Sequence, residues 1–256
     1  MSYLIKTFNP DLIKNHTKTV MLIWILFILG QVSAIMFVVF LFVGSFTIID
    51  LGLGARNALL MDAFLSIMFF LQHSIIVRRG FKQWLGKYIL DIYQNAFYGI
   101  TSAIALLLVL VFWQKTPTLL VHADGIIFWL LRALFFLCLA GFFWGSKSLG
   151  SFDALGVKPL LRYISNRQGK PQKIVAKGPY RWVRHPLYLF MIFLIWACPV
   201  LTLDRLIFNI MWTGWIVIAT YLEDRDLHRE FGSQYIEYSL RVPMLIPYRI
   251  PINKSA

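Results

Sequence analysis

Residues 20 to 49 read VMLIWILFILGQVSAIMFVVFLFVGSFTII, thirty positions without one charged side chain. A hydrocarbon core about 30 Å thick is crossed by about 20 apolar residues in a helix. Lipid offers the backbone no hydrogen bonds, so the crossing segment must satisfy its own. This stretch is long enough, and five more follow: Ala58 to Val77, Ile92 to Gln114, Gly125 to Ser146, Leu187 to Leu203 and Leu206 to Leu222. Only Asp204 and Arg205 separate the last two, which predicts a tight helical hairpin at the lower length limit. Composition agrees, with 59% hydrophobic and 14% charged residues against about 45–50% and about 25% in soluble domains. The expected fold is an all-α integral membrane protein of about six transmembrane helices, with a C-terminal helical hairpin and a cytoplasmic loop and tail that bind a cofactor.

The formal charge of +13 invites a nucleic-acid reading, which the distribution of the 25 Lys and Arg rejects. Segments on one side of the six spans hold 21 of them and those on the other hold 3, with Arg132 inside the fourth span. That asymmetry is the positive-inside pattern. It predicts cytoplasmic termini, a basic surface facing anionic lipid headgroups, Lys115 and Arg205 on the far side, and no nucleic-acid partner. The first apolar segment starts late and is far longer than a signal-peptide core, so it is expected to stay in the membrane. Cys138 and Cys198 both fall in apolar spans and are read as core packing, with no disulfide framework and no metal. A single domain is expected over residues 1–256, with an N-terminal bundle and loop (1–176) and a hairpin and tail (177–247). No obligate protein partner is evident.

Chemistry is expected where the fifth span begins. Residues 178 to 188 read Gly-Pro-Tyr-Arg-Trp-Val-Arg-His-Pro-Leu-Tyr. Proline is tolerated in the first turn of a helix, so Pro186 opens the span and puts Arg184 and His185 at the positive end of a helix dipole, where an anionic group can bind. The alternative is a basic surface anchor flanked by Tyr180, Trp182 and Tyr188, the reading preferred for Arg181. The sixth span returns to the same membrane level and ends Tyr221-Leu-Glu-Asp-Arg-Asp226. Glu223 is thereby expected beside His185, as a carboxylate at an unfavourable helix end that calls for a cationic partner such as a ligand ammonium. Asp224 and Asp226 are read as solvated surface.

Tyr180, the run Arg184-His-Pro-Leu-Tyr188, Glu223-Asp224, Phe231-Gly232, Tyr235, Tyr238 and Val242-Pro243 through Pro247 resemble the C-terminal pattern of membrane isoprenylcysteine carboxyl methyltransferases and their phospholipid N-methyltransferase relatives. The resemblance implies S-adenosylmethionine as cofactor, contacted by Tyr180, His185, Pro186, Leu187, Tyr188 and Glu223, with Arg184 mainly positioning. The chain departs from that pattern at Phe190, where Gly is usual. It also carries Ala219 where isoprenylcysteine enzymes have an Arg that meets the substrate, which argues against a prenylated carboxylate.

A resemblance over most of the chain rests on Leu71-Gln-His-Ser through Trp84, Phe112-Trp113-Gln114, Phe152-Asp153, Leu155-Gly156, Leu222-Glu-Asp-Arg-Asp-Leu227 and Arg241-Val-Pro through Pro247. These are similar to bacterial methanethiol S-methyltransferases, which make dimethyl sulfide, and more distantly to NnrU proteins. Gly150-Ser151 and Tyr93-Gln94 replace an Asn-His and a Glu-Arg of those relatives. The resemblance implies a small lipophilic thiol as substrate and a bacterial inner membrane, with the active site facing the cytoplasm. His73 lies about 7–8 Å below the cytoplasmic boundary at about 1.5 Å per residue. It is read either as the catalytic acceptor of the thiol proton or as a core histidine bonded to a neighbouring helix. Asp62 and Arg132 are expected to pair structurally. The rival functions are an isoprenylcysteine or phospholipid-type methyltransferase, an NADPH-dependent sterol-type reductase, whose usual Asn and Gly-Glu are replaced here by Leu187 and Leu189-Phe190, and a non-catalytic NnrU-like protein.

Overall fold

A computed structural model describes residues 10–150, 153, 155–165, 174 and 176–252, with side chains from residue 17 onward. Phe152 and the polar stretch after Ser165, including Lys170, lie outside the described residues. In chain order the elements are α1 (Pro10–Val43), α2 (Ala55–Ile76), α3 (Arg79–Leu85), α4 (Asp91–Phe112), β1 (Leu119–His122), α5 (Gly125–Leu149), α6 (Val157–Ile164), α7 (Pro186–Trp196), β2 (Val200–Thr202), α8 (Leu203–Phe231) and α9 (Ser233–Arg241). Among the described residues five helices, α1, α2, α4, α5 and α8, are long and apolar enough to cross a membrane. This is an all-α integral membrane protein, with two short strands paired antiparallel as its small β component.

The hairpin differs from its expected form. The fifth apolar stretch is a helix of only 11 residues, α7, followed by Ala197-Cys198-Pro199 and then β2. Proline disfavours helix in the residue before it and cannot donate its own backbone bond, so Pro199 ends the helix inside the apolar run. Asp204 and Arg205 are not an exposed turn on the far side. Both are fully buried in the first turn of α8.

The contacts divide the chain into two compact units. One comprises residues 1–36, 71–107 and 153–171. Its core packs Leu26, Ala96 and Leu160 with Tyr93, Ile100 and Val157 around them. Asp153 caps α6 by accepting the backbone N–H of Val157 at 3.0 Å and of Lys158 at 2.8 Å. Gly156 adopts φ 71°, and a Cβ there would stand 2.3 Å from the Asn95 carbonyl oxygen. Only glycine combines that left-handed backbone with so close an approach, which explains the Leu155-Gly156 pair in physical terms.

The other unit comprises residues 37–70, 108–152 and 172–256. Its core is aromatic. Phe69 stacks on Trp212 with centroids 5.0 Å apart, Phe70 on Trp215 at 4.8 Å, and Phe40, Trp113 and Phe208 meet edge to face. Two buried aspartates clamp the turn after α4. Asp62 accepts the Gln114 N–H at 2.8 Å, and Asp204 accepts the Thr116 N–H and hydroxyl and the Trp113 indole N–H. Arg205 donates to the carbonyls of Phe40 and Leu41 near the end of α1 and of Ile195 near the end of α7, the helix end at which a cation is favoured. The expected pairing of Asp62 with Arg132 is corrected here. Arg132 donates to the Phe42 carbonyl and lies over the Phe42 ring, while Asp62 serves Gln114. Cys138 and Cys198 are free and buried.

Candidate functional site

A short 3-10 turn over Gly178–Arg181 leads into α7, and Pro186 occupies the first turn of that helix. α7 is seated on α5 through small residues. A Cβ on Gly141 would meet the Phe190 ring at 2.7 Å, and one on Gly145 would meet Leu187 at 2.8 Å. Phe190 and Leu187 therefore pack onto α5, and Phe190 fills a glycine notch in that helix. His185 precedes α7 as its N-cap residue without supplying a side-chain cap. The backbone N–H groups of Arg184 and His185 donate to the carbonyls of Pro243 and Met244, so the tail folds back onto the start of the helix.

The electrostatic centre of this region is Asp224, which corrects its reading as solvated surface. Its side chain is 11% exposed and meets Arg184 in a two-pronged pair, Nε to Oδ1 at 2.8 Å and Nη2 to Oδ2 at 2.9 Å. His185 Nε2 lies 3.1 Å from Oδ1, and the Tyr235 hydroxyl donates to the same oxygen at 2.7 Å. Arg184 Nη1 donates to the carbonyls of Ser239 and Val242. The guanidinium thus joins the α7 start, α8, α9 and the tail. Burial works against its charge, and the bonds to Asp224 more than offset this, so Arg184 is held above its ordinary value. Burial first, and then the bond to the Asp224 carboxylate, also push the Tyr235 phenol up.

Glu223, one residue earlier, is exposed. It does not bond His185; it accepts the Tyr188 hydroxyl at 2.5 Å. The His185 and Tyr188 rings stand 5.9 Å apart. Tyr180 is buried, its carbonyl receives the Tyr238 hydroxyl at 2.6 Å, and burial followed by the Glu223 charge raises its phenol. The fold thus brings together Tyr180, Arg184, His185, Pro186, Tyr188 and Glu223 at one helix start, with Asp224, Tyr235 and Tyr238 behind them. Asp226 is half-exposed beside Arg225 and Arg229.

Comparisons with known proteins bear on what this arrangement serves. No family model matches the chain, and no solved structure matches it. It is 33% identical over 211 residues to methanethiol S-methyltransferase 2 of Bradyrhizobium diazoefficiens, covering 80% of this chain and 82% of that protein. It is 32% identical to the methanethiol S-methyltransferase of Mycobacterium tuberculosis, covering 75% of this chain and 79% of that one. The chain belongs to the methanethiol S-methyltransferase family. It is more distantly similar to nurim of Rattus norvegicus, 26% identical over 179 residues, 66% of this chain and 68% of nurim.

Within this methanethiol S-methyltransferase family member, His73 belongs to the unit that does not contain the α7 start. Its Nε2 lies 2.6 Å from the Tyr98 hydroxyl, and the two rings are tilted with centroids 5.0 Å apart. The next bond between α2 and α4 joins Gln72 Nε2 to Thr101 Oγ1 at 3.0 Å. Sequence reasoning did not single out Tyr98 or Gln72, and it set Asp224 aside as solvated surface. For Asp224 a signal was present: Ile216, Thr220 and Asp224 are buried at helical spacing along one face of α8, and Glu223 falls off that face.

Proposed function

We propose that the chain transfers a methyl group from S-adenosylmethionine to methanethiol, giving dimethyl sulfide, in the bacterial cytoplasmic membrane with the α7 start toward the cytoplasm. The observation that carries this reading is the similarity over three quarters of the chain or more to proteins named for methanethiol S-methylation. The side chains suit such a donor. The start of α7 has no side-chain cap, so its first-turn N–H groups and dipole favour a carboxylate, and the exposed Glu223 suits an ammonium. Arg184 is engaged at Nε, Nη1 and Nη2 and acts by positioning, through Asp224. Tyr180, His185, Pro186, Leu187 and Tyr188 complete the donor site.

When bound, the donor supplies an electrophilic methyl on a cationic sulfur and leaves as a neutral thioether. His73, oriented by Tyr98, receives the thiol proton. The thiolate so formed would be the methyl acceptor. Alignment can supply much of the acceleration, since effective molarities of well-oriented reactants reach about 10⁵ M and above. An uncharged thiol can enter from lipid.

Membranes holding the protein, given S-adenosylmethionine and methanethiol, are expected to release dimethyl sulfide into the headspace, detectable by gas chromatography. Methyl transfer to a prenylcysteine or a lipid amine instead, with no sulfide formed, would refute the thiol assignment. Glu223→Gln should weaken donor binding about tenfold by calorimetry, the size expected for a bond to a charged group; unchanged affinity removes Glu223 from the site. For orientation, a cysteine placed at exposed Lys177 should be shielded from an impermeant reagent in intact cells, and one at exposed Lys115 labelled. The reverse pattern inverts the topology.

A further inference from the structure

We propose that the amide oxygen of Gln72 distinguishes the thiol substrate from its thioether product: it accepts the S–H of methanethiol and finds no donor in dimethyl sulfide. The proposal rests on the methanethiol reading above. Its basis is a hydrogen-bond count on the facing sides of α2 and α4. Thr101 Oγ1 lies 2.8 Å from the Phe97 carbonyl and 3.2 Å from that of Tyr98, both of which can only accept. A hydroxyl has one hydrogen, so toward Gln72 it can only accept. That fixes the amide: Gln72 Nε2 points to Thr101 Oγ1 at 3.0 Å, with Ser102 Oγ at 3.4 Å. The other end of the amide, Oε1, is then a buried acceptor without a partner among the described residues.

An acceptor in this state is costly to leave unmade, and its position is informative. Gln72 precedes His73, and their partners Thr101 and Tyr98 are one turn apart on α4. The unfilled acceptor therefore belongs to a side chain that, like the group that takes the thiol proton, bridges α2 to α4. A thiol carries one weak donor, and a thioether carries only lone pairs, which an amide oxygen repels. A site that hydrogen-bonds a substrate hydrogen rejects the analogue lacking it, because its own polar atom is left unpaired. Gln72 holds the thiol in its protonated form before the proton passes to His73, so its contribution lies in substrate capture and product expulsion, with little effect on the chemical step.

The test is initial-rate kinetics on membranes carrying the full-length protein, with methanethiol varied and dimethyl sulfide added as inhibitor. Gln72→Met, close in volume, should raise KM for methanethiol about three- to tenfold, the range of one modest hydrogen bond. Its kcat should stay near wild type, and the ratio of the dimethyl sulfide inhibition constant to that KM should fall by at least the same factor. Gln72→Asn, which keeps the amide but withdraws it by one methylene, should lower the ratio too and stands in if the Met variant fails to accumulate. Ser102→Ala removes a contact of the amide nitrogen alone and should leave the ratio unchanged. An unchanged ratio in the Gln72 variant that folds, judged by wild-type donor affinity, overturns the proposal while wild-type turnover upholds the methanethiol reading. A wild-type protein that makes no dimethyl sulfide overturns both.

Discussion

Asp224→Ala is expected to lower stability by about 3–5 kcal/mol, the loss typical when one partner of a buried ion pair is removed and the other stays uncompensated. The size follows from enclosure, since the Arg184 and Asp224 side chains are 10% and 11% exposed. The discount that applies to surface pairs does not apply here. Besides Arg184, the substitution leaves the Tyr235 hydroxyl and His185 Nε2 without their shared partner. Donor binding should be lost with it. Thermal unfolding in detergent is the measurement. Asp226→Ala, at a half-exposed carboxylate, should stay within about 0.5 kcal/mol. In the double variant Arg184→Met, Asp224→Leu the losses should be less than additive, as for contacting residues. An Asp224→Ala protein that melts at the wild-type temperature would show that the pair is not what holds α7, α8 and the tail together.

The second large effect is expected at Arg205. Its guanidinium is fully buried and donates to three helix-end carbonyls, those of Phe40, Leu41 and Ile195. Arg205→Met keeps much of the volume but takes the side-chain donor from all three carbonyls, of which that of Phe40 keeps a second donor, the Gly44 N–H at 3.1 Å. The expected loss is at least about 3 kcal/mol. Arg205→Lys should recover only part of it, because a single ammonium cannot reproduce the planar fork that spans two helix ends. A wild-type melting temperature for Arg205→Met would mean that the carbonyls find other donors.

These two residues also mark what the sequence made legible. The helical membrane fold followed from uncharged length alone, as at Val20 to Ile49, and the α7 start followed from Pro186. Glu223 was picked out as a carboxylate at an unfavourable helix end, an expectation the structure corrects because α8 runs on to Phe231, and its neighbour was set aside by the same one-dimensional logic. What separates them is the angle of about 100° that one residue makes around a helix: Asp224 points inward and Glu223 outward. The buried stripe from Arg205 through Trp212 and Ile216 to Asp224 carries that information. Arg205 was misread because a charged pair between two apolar runs is indistinguishable from a turn until the partners are known, and its partners are carbonyls, which leave no mark in a sequence. Asp62 and Arg132 fail for the same reason, since each bonds a backbone group and not the other. Pro199 could have shortened the fifth span in advance.

The tail that folds back onto the α7 start has a consequence for biosynthesis. The carbonyls of Pro243 and Met244, which fix Arg184 and His185, are made roughly sixty residues after them. At about 5–20 residues per second, the half-built site waits several seconds on the ribosome, with Arg184 already synthesised before its carboxylate exists. Order at the α7 start is therefore a late event in the life of the nascent chain, and a message truncated before codon 243 would yield a protein that inserts its long helices but lacks the carbonyls that hold Arg184 and His185.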